Sequence, residues 1–368
     1  MRTTQLFTER LSELQAEMVQ RGVDLVAIAP TANMRYLTGF APLMDERLCA
    51  LLVGQTSTLL LIPELNADQV EAHTGMQAIR WADADGPERP LAKALNELGI
   101  GAGSVLGADD SMRADSLLFL QEMVKPVRSL AAGTLMTALR ICKSDDEVEL
   151  MARSAALADK ALMAGADACQ PGVIEREVAA RITGYFREHG AEIVDFVIVA
   201  SGPNGAFPHH ETGDRRLHAG DVIIIDIGAA LGGYKSDITR VVYLGQPPTE
   251  VSEVYDVVLE ANRKGRQAAV PGVLAKEVDR AARETLEQAS LGAYFIHRTG
   301  HGLGLEIHEP PWITAASQTR LEPGMVFSVE PGVYIPGKFG IRIEDIIVVT
   351  EGESRNLTGL AHDIIVRE

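Results

Sequence analysis

Apolar positions at Leu6, Phe7, Leu11, Leu14 and Met18 recur at helical spacing, so the pattern predicts an amphipathic helix over 6–21 that Gly22 ends. Val23 to Ala29 is then almost continuously apolar and predicts a strand. Leu48 to Val53 and Leu59 to Ile62 predict two more, joined by a turn at Gly54-Gln55-Thr56. Residues 63–72, 90–98 and 111–124 carry helical patterning, with a short strand at Val105 to Gly107. Such alternation predicts a small α/β domain over roughly the first 130 residues, without a phosphate loop or dinucleotide fingerprint.

A long helical pattern follows at 144–168, opened by Ser144 and Glu147 at capping-box spacing. The division is placed before it, with the Gly133 region as hinge: an N-terminal domain at 1–135 and a second domain at 136–368. The second domain repeats itself. Pro171-Gly172-Val173 and Glu177-Val178 return as Pro271-Gly272-Val273 and Glu277-Val278. Gly220 is followed six residues later by Asp226, and Gly324 likewise by Glu330. Matches in the same order predict a duplicated helix-then-strand unit of about a hundred residues, whose halves face a shared cleft.

That arrangement matters because each copy buries acid in an apolar strand. Asp226 interrupts Val222 to Ile227, and Asp237 opens the strand Ile238 to Leu244, with a hairpin loop at 228–235. In the other copy Glu330 follows Met325 to Val329, and the run Phe339 to Val349 carries Arg342, Glu344 and Asp345. Arg342 and Glu344 share a face, being two apart, and Asp345 points the other way. A charge in such a strand costs several kcal/mol unless paired or ligated. Each carboxylate alone also reads as a buried ion pair or a turn bond. His301, between glycines in Gly300-His301-Gly302, changes that reading. Four carboxylates and one imidazole form a hard, oxygen-rich set suited to two divalent ions, manganese before cobalt or zinc.

Composition narrows the partners. With 51 acidic against 34 basic residues and a net charge of -17, the chain is a poor match for nucleic acid. Cys49, Cys142 and Cys169 form no CxxC pair and read as thiols in a reducing compartment. The polar N-terminus has no signal-like apolar core and no stretch is long enough to span a membrane, so the expectation is a cytoplasmic protein.

The acidic segments, with Gly233-Tyr234-Lys235-Ser236-Asp237, Gly300 to Glu309, Glu330-Pro331-Gly332-Val333-Tyr334 and Arg342-Ile343-Glu344-Asp345, resemble the pita-bread metallopeptidases. These comprise methionine aminopeptidase, aminopeptidase P and prolidase. The resemblance implies an α+β pita-bread catalytic domain with an internal pseudo-twofold repeat. Asn33 to Phe40 and Arg140 to Ser144 resemble the smaller creatinase-like α/β N-terminal domain of prolidases and aminopeptidases P. Methionine aminopeptidases usually lack that domain.

The resemblance implies two metals, with Asp226 on one, His301 and Glu330 on the other, and Asp237 and Glu344 bridging. It also places His209 and His308 near the scissile bond and Tyr334 and Arg342 as supporting polar residues. Glu330 is the candidate for passing a proton from water to the leaving amine. The implied substrate is a small peptide with proline second, whose nitrogen has no N–H. Dipeptide hydrolysis as by prolidase fits the compact chain; the alternative is aminopeptidase P, which releases the first residue of longer peptides. The resemblance also implies a homodimer. A ligand-stripped scaffold would lack some of the five metal ligands, and none is missing.

Overall fold

The computed structural model describes residues 2–368, with side chains from residue 5 onward. Met1–Arg140 and Ile141–Glu368 are two compact units. The first contains α1 (Arg2–Arg21), β1 (Leu25–Ile28), α2 (Ala32–Thr38), β2 (Ala50–Gly54), β3 (Thr58–Pro63) and α3 (Glu64–Thr74). It continues through β4 (Ala78–Trp81), α4 (Glu88–Glu97), β5 (Val105–Ala108), α5 (Ala114–Val124), β6 (Arg128–Ala131) and α6 (Gly133–Arg140). The sheet runs in the order β4-β3-β2-β1-β5-β6. β1 and β2 are buried at every position, which is why they read as unbroken apolar runs.

Four of these elements are not legible as such in the sequence. β4 and β6 are four-residue edge strands, too short and too exposed to show an alternation. α2 is a helix of seven residues, held at its start by Thr31, whose side chain accepts the Asn33 N–H. The Gly133 region, read above as a hinge, instead opens α6. Its N–H donates to Asp110 Oδ1 at 2.7 Å, and a Cβ there would lie 2.0 Å from Asp110 Oδ2. The glycine answers a close approach rather than a need for flexibility.

The second unit begins with α7 (Asp145–Ala168). Ser144 caps it: its hydroxyl accepts the Glu147 N–H, and its own N–H donates to Glu147 Oε2 at 2.9 Å. There follow α8 (Glu175–Glu188), β7 (Ile193–Ser201), β8 (Val222–Leu231), β9 (Tyr234–Lys235), β10 (Ile238–Leu244), α9 (Thr249–Ala268) and α10 (Ala275–Gln288). The chain then forms β11 (Gly300–Gly302), β12 (Glu309–Ile313), β13 (Val326–Val329), β14 (Gly332–Ile335), β15 (Phe339–Arg342) and β16 (Asp345–Val348). β17 (Arg355–Asn356) and β18 (Ile365–Arg367) complete it. One sheet has the order β18-β10-β8-β7, with β9 on β8; a second has β12-β11-β13-β16-β17; β14 and β15 pair separately. α7 and α8 bury Leu162, Ile182 and Phe186 against Ile223, Ile225 and Ile227 of β8. In the other half, α10 packs Val278 with Phe327 and Val329 of β13.

The repeat inferred from sequence has a backbone counterpart. Ile174 bridges Arg216, and Leu274 bridges Arg320 at the matching place. The Gly172 N–H donates to Leu217 O at 2.8 Å, and the Gly272 N–H donates to Leu321 O at 2.8 Å. Gly220 and Gly324 both have left-handed backbones, with φ +88° and +87°. A Cβ at Gly165 of α7 would meet Ile182 at 2.5 Å, and one at Gly265 of α9 would meet Val329 at 2.8 Å.

The apolar run 339–349 is not one strand. It divides into β15 and β16, which belong to different sheets, with Ile343 and Glu344 at the break. Asp345 faces away from the acidic residues. It accepts Arg240 Nη2 at 2.8 Å, Thr358 Oγ1 at 2.9 Å and His362 Nε2 at 2.7 Å. Arg240 and Asp345 are both fully buried. Asp345→Ala leaves Arg240 as an uncompensated buried charge, and we expect a loss of about 3–5 kcal/mol in urea unfolding.

Candidate metal centre

Antiparallel register sets Ile198 of β7, Asp226 of β8 and Thr239 of β10 in one row across the first sheet. Asp237, two residues before Thr239, lies on the same face. Glu330 follows β13 directly, and its N–H donates to Thr299 O at 2.8 Å. Glu344 stands at the break between β15 and β16, where its N–H donates to Thr239 O at 3.2 Å. A cavity of about 560 Å³ opens above this floor. Asp226, Asp237, His301, Glu330, Glu344, His209, His308, Tyr334 and Arg342 all line it.

Donor atoms of Asp237, His301 and Glu344 lie within 4.8 Å of one another. His301 Nε2 is 3.7 Å from Asp237 Oδ2 and 3.3 Å from Glu330 Oε1. The His301 Nδ1–H donates to Gly302 O at 3.1 Å, which leaves the Nε2 lone pair facing the carboxylates. Burial, reinforced by the nearby His308, pushes His301 down to about 3, so its imidazole is neutral. The acids shift the other way. Burial raises Asp237 well above the ordinary carboxyl range, and the charges of Glu344, Asp226 and Glu330 add to it. Glu344 is raised for the same reasons, against the opposing Thr239 hydroxyl and Arg342. Glu330 is pushed up to about 7 by burial and Asp226, with Arg342 and Ser328 opposing.

Arg342 meets part of this excess. Its Nη2 donates to Asp226 Oδ2 at 2.5 Å, and its Nε to Thr239 Oγ1 at 3.2 Å. Thr239 in turn donates to Glu344 Oε2 at 2.7 Å. The guanidinium therefore pairs with Asp226 and reaches Glu344 only through Thr239. Asp226 Oδ1 is buried and has no hydrogen-bond partner among the described residues. An orphaned carboxylate oxygen, a neutral imidazole with a free lone pair and mutually repelling acids fit hard divalent cations.

Two further features were not anticipated from sequence. Tyr334 OH accepts Arg342 Nη1 at 2.6 Å and donates to His297 Nε2 at 2.8 Å. The His297 Nδ1–H donates to Arg298 O at 2.7 Å, and burial, with Arg342 beside it, holds this ring down to about 4. His297 thus ends a chain of bonds running through Tyr334 and Arg342 to Asp226. Its one sequence signal was its place four residues before His301. Phe196 and Ile198 form an apolar wall, marked only by their alternation along β7. Of the adjacent histidines, His209 faces the cavity, whereas His210 Nε2 turns to Glu175 Oε2 at 3.0 Å. His308 stands edge-to-face with His301, ring centroids 4.2 Å apart.

Fold and donor set together define a two-domain protein of the pita-bread metallopeptidase class. The sequence profile of metallopeptidase family M24 matches residues 149–351, and that of the creatinase/prolidase N-terminal domain matches residues 10–142. The chain belongs to metallopeptidase family M24, and the family implies divalent metal ions. It is 37% identical to the probable dipeptidase PepE of Mycobacterium tuberculosis, over 98% of this chain and 97% of that protein. It is 36% identical to the Xaa-Pro dipeptidase of Pyrococcus furiosus, over 97% and 99%. The solved dipeptidase from Pyrococcus horikoshii OT3 superposes with a TM-score of 0.93 at 39% identity, covering 97% of this chain and 100% of that one.

Cation binding relieves the repulsion among these acids, so added manganese raises the melting temperature of metal-free protein in a concentration-dependent way. Asp237→Asn removes one of the crowded charges. We expect it to leave the metal-free protein at least as stable and to abolish the manganese-induced rise in calorimetry.

Proposed function

We propose that this protein is a dinuclear-metal-dependent Xaa-Pro dipeptidase, hydrolysing the bond before proline in dipeptides. The observation that carries the reading is the convergence of Asp237, His301 and Glu344 donors within 4.8 Å in one cavity. A volume of about 560 Å³ falls in the range of small-molecule sites. The likeness to proteins named Xaa-Pro dipeptidase supports the substrate class.

Asp226 and Asp237 would hold one ion, His301 and Glu330 the other, with Asp237 and Glu344 shared. Manganese fits the oxygen-rich donors best, with cobalt and zinc as alternatives. When bound, the ions supply Lewis acidity and lower the pKa of water. The chain does the rest. Arg342 fixes Asp226 and, through Thr239, Glu344, so both carboxylates keep one orientation. Glu330 would accept the proton of the attacking water and pass it to the proline nitrogen as that nitrogen leaves. The proline nitrogen, like any amide nitrogen, needs this proton to leave as an amine; what its missing N–H removes is a donor by which a site could hold the scissile bond. His209 and His308 flank the cavity and donate to the carbonyl oxygen as charge develops. Phe196 and Ile198 present the apolar surface on that wall.

The test is a length series on metal-free protein with manganese, cobalt or zinc restored. We expect release of proline from Gly-Pro and Ala-Pro, loss of activity with EDTA, and little cleavage of Gly-Pro-Gly. Robust cleavage of the tripeptide would instead mark an aminopeptidase P, and inertness toward all three peptides with every metal would overturn both. Glu330→Gln lowers kcat by about 10²–10⁴-fold, as expected for loss of a proton carrier.

A further inference from the structure

Glu175, the first residue of α8, is fully buried. Its Oε1 accepts the Ser201 N–H at 2.8 Å, Ser201 Oγ at 2.6 Å and Asn204 Nδ2 at 3.0 Å. Its Oε2 accepts His210 Nε2 at 3.0 Å and the Gly213 N–H at 3.3 Å. Every one of these donors belongs to 201–213, the segment that carries Pro208 and His209 to the cavity. Burial alone would raise this carboxyl; the hydrogen bonds outweigh it and hold the group below its usual range. Hydrogen bonds to an ionised acceptor are short and roughly twice as strong as neutral ones, so the segment hangs from one charged node.

The other half of the repeat also has a buried carboxylate node, at a different position of its matched helix. Asp279 of α10 is buried and accepts Thr299 Oγ1 at 2.8 Å and the Thr299 N–H at 3.3 Å. It also holds Arg283 through Nε and Nη2, each at 3.1 Å. Arg283 donates on to Phe295 O at 3.2 Å and His297 O at 2.9 Å. The segment so fixed, 295–299, leads directly into His301. α8 and α10 are the matched helices of the repeat. Each thus turns a buried carboxylate onto the segment that brings its own half's histidines to the cavity.

We propose that Glu175 and Asp279 are paired positioning residues, one per half, that fix the His209 segment and the His297–His301 segment for the reaction. Neither lines the cavity floor; each acts through the histidines it places. The kinetic part rests on the dipeptidase reading, whereas the placement itself does not.

The full chain is compared with Glu175→Gln and Asp279→Asn by hydrogen–deuterium exchange and by Gly-Pro kinetics. Glu175→Gln should speed exchange in 201–213 about tenfold or more and leave 295–301 unchanged; Asp279→Asn should do the reverse. Glu175→Gln should lower kcat at least about tenfold with KM shifted less than about threefold, since small misplacements of a reacting group are costly. In a His209→Ala background the same substitution should cost little more, because the two act as one unit. Unchanged exchange in 201–213, or an equal loss in both backgrounds, would overturn the proposal. Should Glu175→Gln fail to fold, Asn204→Ala and His210→Ala each remove a single bond to Glu175. A faster 201–213 in either supports the proposal, and no change in both overturns it. If the unaltered protein is inert toward Gly-Pro, the dipeptidase reading fails while the exchange result still decides the placement.

Discussion

Asp226, Asp237, Glu330 and Glu344 are crowded into one cavity, where burial and neighbouring charge raise Asp237, Glu330 and Glu344. In water such acids would separate. Here they are held by main-chain geometry: adjacent strands for Asp226 and Asp237, the end of β13 for Glu330, and a strand break for Glu344. Arg342 compensates part of the charge and leaves Asp226 Oδ1 without a hydrogen-bond partner among the described residues. The repulsion that remains favours occupation by divalent cations, which would satisfy several oxygens at once.

The duplicated architecture is the means by which a single chain sustains this strain. Each half supplies a helix pair, strands and two acids, and the four acids meet without either half having to bury them all. The halves are also tied behind the cavity. Arg240 of β10 donates to Glu344 O at 2.6 Å and to Asp345 at 2.8 Å, so one residue spans from the first half to the strand that follows Glu344. Asp345 is held far below the ordinary range: burial opposes its charge, but His362, Arg240 and Arg266 together outweigh it. Neighbouring acids in sequence thus have opposite fates. Glu344 faces like charges and is raised, while Asp345 faces cations and is depressed.

Around the acids, histidines are placed by charges outside the cavity. Glu175 holds the segment of His209, Asp279 that of His297 and His301, and Lys143 pairs with Glu309 at 2.8 Å beside His308. Lys143 and Glu309 are both almost fully buried, so this pair fixes backbone rather than decorating a surface. Residues outside the cavity lining thus hold the segments that carry its histidines.

Much of this was legible in the chain. Asp226 and Glu330 stood out because a carboxylate in an apolar strand is expensive and because the same offset from a glycine occurred twice. The capping box at Ser144 is a local signal, which folding preserves; Arg342 and Glu344 line one cavity although the strand breaks between them. What the chain could not show depends on contacts distant in sequence. The edge strands β4 and β6 exist because neighbours pair with them, and Gly133 serves a carboxylate at Asp110 rather than a hinge. Arg342 pairs with Asp226 rather than with Glu344, its nearer neighbour in sequence, and His297 joined the site through Tyr334. Periodicity and burial cost are properties of a short stretch and are written in it. Pairing between charges more than a hundred residues apart is decided only when the two halves close and remove the water that would otherwise have screened them.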